Sequence, residues 1–113
     1  MDFIGVDVGT SGCKASVISE NGLVKRMAQR DYKIIKNELG WAVLSISGIW
    51  KSVKEILKEI SPFCKNAKAI AVSSLGETMA FLDEKDRLLW DEGITYIDSR
   101  NVEVWNKLKN RIP

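Results

Sequence analysis

The chain has 113 residues, 45% of them hydrophobic and 28% charged, and its 17 Lys and Arg against 15 Asp and Glu leave a net charge of +2. This length and composition suit one domain with a modest core and exclude a chain disordered by composition. The charge is too balanced, and the Lys residues too scattered, for the one-sided basic face of a nucleic-acid binder, and no run approaches the ~20 apolar residues of a membrane-spanning helix.

With no His, a Cys/His zinc site and any His-based triad are excluded. Cys13 and Cys64 are far apart, form no CxxC pair and read as free thiols of a reducing compartment. The opening Met1-Asp2-Phe3-Ile4 carries an acid and no long apolar run, unlike a signal peptide. The expected location is the cytoplasm, with no membrane and no nucleic-acid partner.

Along the chain, Phe3 to Val8 reads as a buried strand ending at Gly9. Gly9-Thr10-Ser11-Gly12 reads as a tight turn, and Cys13 to Ser19 alternates like a second strand. Asn21-Gly22 is a strong hairpin signal, and a third strand is expected from about Leu23 to Ile34. Lys36 to Leu44 reads as a loop. Ile46, Ile49, Trp50, Val53, Ile56, Leu57 and Ile60 then recur at helical spacing, with Ser45 or Ser47 as cap and Pro62 as stop. Ala67 to Ser73 reads as another buried strand, and Thr78 to Leu82 pairs with Arg87 to Trp90 across a polar turn. Asp98 or Ser99 is expected to cap a last helix with Val102, Trp105, Leu108 and Ile112 on one face. The predicted fold is α/β: a mixed sheet opening with three antiparallel strands, with helices packed on it.

Four segments carry candidate chemistry. In Asp7-Val8-Gly9-Thr10-Ser11-Gly12-Cys13-Lys14 an acid ends a strand before a turn of two glycines and two hydroxyls. Glycines let backbone N–H groups close on a phosphate, Asp7 can hold Mg²⁺, and Lys14 can place charge on a phosphate oxygen. The same residues also make ordinary Gly-rich turns. A P-loop is excluded because Cys13 follows Gly12, and a GxGxxG fingerprint is absent. Glu77, after the strand ending near Ser73, can accept from vicinal hydroxyls or can be a solvated side chain. Asp98 and Arg100 read locally as a helix cap and a surface ion pair. Trp41 can stack on a sugar ring or pack on the core, while Trp50, Trp90 and Trp105 read as structural.

Together these segments resemble the start of the FGGY family of carbohydrate kinases. Ile4-Gly5-Val6-Asp7-Val8-Gly9-Thr10-Ser11-Gly12-Cys13-Lys14 is similar to the family's first phosphate motif, and Gly40-Trp41-Ala42-Val43 to its GWxE loop. Ala71 to Thr78 resembles its sugar-contacting strand end, Phe81 to Leu89 its LLDxxGxPL hairpin, and Tyr96-Ile97-Asp98-Ser99-Arg100 its WxDxR motif. The resemblance implies an actin-like, ribonuclease-H-like domain and an ATP- and Mg²⁺-dependent kinase of a sugar, polyol or sugar acid. It implies Asp7 beside Mg²⁺, and Gly9, Thr10, Ser11 and Lys14 on the phosphate side. It places Trp41, Glu77, Asp98 and Arg100 near the sugar. Val43, Tyr96 and Asp86 depart from the family's Glu, Trp and Gly, and Leu75-Gly76-Glu77 departs from the Gln-Met-His of many xylulokinases. The family's catalytic base and second domain are expected beyond Pro113, so residues 1–113 are expected to be an N-terminal part, inactive alone and able to self-associate as a homodimer. The competing readings are a non-catalytic sugar-binding or interaction module and another actin-like phosphotransferase. Gly76-Glu77 and Asp98-Ser99-Arg100 weigh against the latter.

Overall fold

The computed structural model describes residues 1–111. Three strands open it: β1 (Asp2–Val8), β2 (Gly12–Ser19) and β3 (Val24–Asp31). Next come β4 (Ile35–Lys36), β5 (Ala42–Ser45), helix α1 (Ile46–Ile60) and a 3₁₀ turn at Ser61–Phe63. The remainder is β6 (Ala67–Ser74), β7 (Phe81–Leu82), β8 (Leu88–Trp90), β9 (Glu92–Ile94) and helix α2 (Val102–Leu108).

The main sheet has the order β3-β2-β1-β6. β1 runs antiparallel to β2 and parallel to β6. Parallel pairing needs a crossover, and the chain makes it through β4, β5 and α1. Alternation sends Val6, Cys13, Ala15, Val17 and Ala28 to one face, where Val53, Ile56 and Ile60 of α1 meet them. The small side chains of Cys13, Ala15 and Ala28 let the helix lie close to the strands. A smaller sheet, β4-β5-β9, buries Ala42, Val43 and Leu44, and β7 pairs with β8.

The opening hairpin forms as expected. Gly22 takes φ +81°, Asn21 keeps a negative φ, and the register shifts between Val17 and Ile18. That is a turn followed by a left-handed glycine and a bulge. Ser45 caps α1, its Oγ accepting from Gly48 N at 3.0 Å. The cap is reinforced from a distance: Asp91 accepts from Ser47 N at 2.7 Å and from Ser45 Oγ at 2.8 Å. A carboxylate at a helix N-terminus meets unpaired N–H groups and the positive end of the dipole.

Several expectations are corrected. Part of the predicted loop 36–44 is strand, because β5 is held between β4 and β9. The third strand ends at Asp31, and Thr78 to Ala80 lie outside β7. β6 is a sheet edge and exposed over nearly its whole length, not buried, since α1 covers β2 and β3 and leaves β6 open. Trp50 and Trp105 are 59% and 57% exposed, and α2 buries none of its residues. Helical spacing identified both apolar faces, but among the described residues no layer covers the α2 face or Trp50 of α1. Ile112, expected on the α2 face, lies outside the described residues.

The β7–β8 turn explains one departure from the resembled pattern. Asp86 takes φ 59°, the left-handed region where glycine is the natural occupant. Asp83 holds the turn, accepting from Lys85 N at 2.9 Å and Arg87 N at 2.8 Å. Replacing Asp86→Gly should stabilise the chain by about 1 kcal/mol by removing this strain. Urea denaturation measures it, and an unchanged or lower midpoint would show the Asp to be at ease there.

Candidate functional site

β1 ends at Val8 beside the end of β6, because the two strands are parallel and in register from Phe3 opposite Ala69 to Val8 opposite Ser74. Asp7 stands opposite Lys14 of β2 on one side and Ser73 of β6 on the other. Alternation places these three on the sheet face away from α1, since their neighbours Val6, Ala15 and Val72 face the helix side. Asp7, Lys14 and Ser73 line one shallow groove with Gly5, Ser16 and Ala71. No ion pair joins Asp7 to Lys14 among the described residues.

The turn from Gly9 to Gly12 leaves this edge. Gly9 N donates to Gly12 O at 2.8 Å, closing it. Gly12 has to be glycine: a Cβ there would stand 2.6 Å from the carbonyl oxygen of Arg30. Two bonds come from Tyr32 at the end of β3. Its hydroxyl donates to Gly9 O at 2.6 Å, and its backbone N–H donates to Ser11 O at 3.1 Å. Within the described residues, no hydrogen bond uses the amide or hydroxyl of Thr10 or Ser11. The turn thus has three of its carbonyls, those of Gly9, Ser11 and Gly12, tied back and the Thr10 and Ser11 donors open, an arrangement suited to an anion.

Glu77 lies on the same edge. It follows β6 by three residues, and Leu75 N donates to Val8 O at 2.9 Å, tying the exit of β6 to the end of β1. Its carboxylate is exposed and has no hydrogen bond or ion pair among the described residues.

Trp41, Asp98 and Arg100 form a separate group on the smaller sheet. Asp98 is buried and accepts four donors. Arg100 N reaches Oδ1 at 2.9 Å and Arg100 Nε reaches it at 2.8 Å. Arg100 Nη2 reaches Oδ2 at 2.9 Å, and Ala42 N reaches it at 2.7 Å. The guanidinium also lies over the Trp41 ring, 4.3 Å from its centre. Asp98 therefore does not cap α2, whose N-cap is Asn101 without a side-chain bond. Arg100 likewise pairs with a buried carboxylate and not a surface one. Gly40 takes φ +79°, and a Cβ there would come within 2.5 Å of Ser99 Oγ, so this corner closes tightly around Trp41. Val43, where the resembled loop has Glu, is buried.

The residues expected to bind thus fall into two groups. The structure brings Asp7, Gly9, Thr10, Ser11 and Lys14 to one end of the main sheet, with Glu77 on the segment that leaves β6 at that end. It holds Trp41, Asp98 and Arg100 together elsewhere. Sequence reasoning held Ser73 only as part of the Ala71 to Thr78 segment and missed Tyr32. The signal for Tyr32 was available: counting the hairpin register back from Asn21-Gly22 sets Gly12 near Asp31 and so Tyr32 beside the turn.

An α/β domain with its mixed sheet ending at an open-donor turn, flanked by an acid and a lysine, has the geometry of a phosphate-handling fold. Residues 3–113 match the FGGY family of carbohydrate kinases, N-terminal domain, and the chain belongs to that family. It is 27% identical over 112 residues to a probable L-xylulose kinase of Haemophilus influenzae, covering 93% of this chain and 23% of that protein. It is 26% identical over 107 residues to a glycerol kinase of Aquifex aeolicus, covering 93% of this chain and 22% of that one. Among solved structures it resembles a ligand-bound xylulose kinase from Lactobacillus acidophilus at TM-score 0.85 and 28% identity, over 97% of this chain and 22% of the other. A xylulose kinase from Rhodospirillum rubrum shares the fold at TM-score 0.86 and 21% identity, over 99% of this chain and 24% of the other. The fold is the actin-like ATPase domain expected from the sequence. The chain spans less than a quarter of the length of these relatives.

The Asp98 bonds have a pH signature. Arg100 hydrogen bonds, with the N–H groups of Ala42 and Arg100 adding to them, hold the Asp98 carboxyl well below the usual carboxylate range despite burial. The folded-state value is depressed, so this stabilisation is complete above the unfolded value near ~4 and is lost as pH falls further. The melting temperature of the wild type should therefore drop faster between about pH 4 and pH 2 than that of Asp98→Asn. Parallel curves would mean that the bonds seen at Asp98 contribute nothing to stability.

Proposed function

We propose that this chain forms the phosphate side and part of the acceptor side of an ATP-dependent kinase acting on a hydroxyl of a sugar, polyol or sugar acid. The observation that carries the reading is the turn at Thr10 and Ser11, with open donors beside Asp7 and Lys14. In such a transfer the γ-phosphorus forms a bond to the acceptor oxygen while its bond to the bridging oxygen of ADP breaks. Catalysis rests on positioning and charge neutralisation. Thr10 and Ser11 amides and hydroxyls would hold phosphate oxygens, and Lys14 would supply positive charge. Glu77, exposed and unpartnered on the same edge, would accept from acceptor hydroxyls. The base that takes the acceptor proton is assigned to none of these residues.

Mg²⁺ fits the acid present. The described residues hold no cluster of three or more Asp, Glu, Cys or His side chains, which a dedicated protein cage would require. Mg²⁺ bound with nucleotide needs only one or two carboxylates, the rest coming from phosphates and water. Asp7, exposed and facing the groove, is the residue to hold it. When bound, the ion neutralises charge on the phosphates.

Trp41, Asp98 and Arg100 belong to this proposal as a wall near the acceptor. Asp98 is fully engaged with protein donors, so its part is to set Arg100 and, through it, the Trp41 ring. Only Trp41 and Arg100 offer an outer surface to a ligand.

ADP release with Mg·ATP, across a panel of ketoses, polyols and sugar acids, tests the reading. The longest product of the reading frame encoding this chain should respond to one acceptor class. Asp7→Ala should lower kcat by about 100-fold or more, and Glu77→Ala should raise the acceptor KM about tenfold with ATP binding intact. A silent panel, or variants indistinguishable from wild type, would refute it.

The homodimer belongs here as well. β6 has an unpaired edge, with Ile70 and Val72 56% and 66% exposed beside Trp50. Such an edge is a template for pairing with another strand. Residues 1–113 alone should therefore self-associate in sedimentation velocity, and Val72→Lys should shift them to monomer. A monomer at every concentration would remove this pairing.

A further inference from the structure

We infer that Tyr32 is a positioning residue for the phosphate-binding turn, aiming the Thr10 amide by holding the carbonyl on the other side of the same peptide plane. The inference rests on the kinase reading above for the identity of the ligand, but its geometry does not.

The peptide between Gly9 and Thr10 is trans, as are the others described. In a trans peptide the C=O and N–H point in opposite directions. The Tyr32 hydroxyl holds Gly9 O at 2.6 Å, so the Thr10 N–H points away from Tyr32. Tyr32 packs against the helix-side core formed by Cys13, Ala15 and Ile56. The Thr10 N–H is thereby turned away from that core and has no acceptor among the described residues. The second bond, Tyr32 N to Ser11 O at 3.1 Å, fixes a second carbonyl of the turn, two residues on. One residue thus sets two peptide planes of a four-residue turn.

The side chain suits the task. Burial, with smaller contributions from Cys13 and Asp7, pushes the phenol up to about 12, so the hydroxyl stays a donor throughout the neutral range. The hydroxyl faces the Gly9 carbonyl, Cys13 and Asp7 act on it through charge, and Arg30, Lys51 and Glu55 line the neighbouring cleft. A Phe would fill the same space without holding the carbonyl. Gly12, which cannot carry a Cβ under the Arg30 carbonyl, keeps β3 close enough for the phenol to reach.

The test compares wild type, Tyr32→Phe and Tyr32→Leu in the longest product of the reading frame. Tyr32→Phe should weaken Mg·ATP binding about tenfold by calorimetry, raise the ATP KM to match, and leave the acceptor KM unchanged. Amide exchange of Gly9 and of residue 32, whose N–H groups bond Gly12 O and Ser11 O, should quicken about tenfold in the same variant, with exchange in β1 and α1 unchanged. If Tyr32→Phe matches wild type in exchange and ATP affinity while Tyr32→Leu is impaired, only ring packing matters and the inference is overturned. Equal weakening of ATP and acceptor overturns it as well. If wild type binds no Mg·ATP, the kinase reading fails, and the exchange rates still decide whether Tyr32 holds the turn.

Discussion

Parallel pairing of Asp2–Val8 with Ala67–Ser74 is the constraint on which the rest of the site depends. An antiparallel partner would have sent the exit of β6 to the far end of β1. Parallel register brings Ser73, Leu75 and Glu77 to the end where Asp7 leads into the Gly9 turn. Long crossovers close slowly and at an entropic cost, so such a pairing has to be held by packing. Here the packing is the face of α1 on Val6, Ala15 and Val17, with Ile56 and Ile60 fully buried at its centre. The cap at Ser45, joined by Asp91 from 46 residues away, fixes where that helix starts and so how it lies on the sheet.

The polar groups divide in a way that follows from this packing. Behind the sheet and around β5, they are paired: Asp98 accepts four hydrogen bonds, Thr95 bonds Ala42 O, and no buried side-chain polar atom among the described residues lacks a partner. At the other end, the side chains of Asp7, Lys14 and Glu77 and the amides and hydroxyls of Thr10 and Ser11 have no partners among the described residues. A domain that satisfies its interior so completely has no structural use for donors left open in a tight turn. Unpaired groups on a rigid edge cost little when water covers them. They also need no reorganisation when a ligand replaces that water.

The sequence made the opening hairpin, helix α1 and the β6 strand legible because each carries a strong local signal. Asn21-Gly22 marks its own turn. The apolar spacing from Ile46 to Ile60 has only one helical reading. What it could not show was coverage. Ala67-Lys-Ala-Ile-Ala-Val-Ser-Ser is the composition of a buried strand, yet burial depends on neighbours that no local pattern specifies. The small strands β4, β5 and β9 were hidden for the same reason. Two to four residues carry too little periodicity, and they become strand only because Val43 finds Ile35 on one side and Ile94 on the other. At the candidate site, Asp7, Lys14 and Glu77 were legible as residue types at strand ends. The grip of Tyr32 on the turn and the pairing of Asp98 with Arg100 depend on three-dimensional approach.

Asp98 shows how a fully engaged buried residue can set the surface beside it. Local sequence made it a helix cap, a role that uses one or two acceptor positions. The fold uses all of them, across 56 residues to Ala42 and two residues on to Arg100. A guanidinium held at two points by a carboxylate that also takes the Arg100 backbone N–H is restrained from swinging away from the indole beneath it. Trp41 therefore keeps a fixed face even though 37% of it is exposed. An exposed indole on a mobile loop would lose side-chain freedom on meeting a sugar ring. One already pinned by Arg100 has lost that freedom in advance, so stacking on it costs less. The ion pair that looked like a surface feature in the sequence is what fixes the neighbouring aromatic in place.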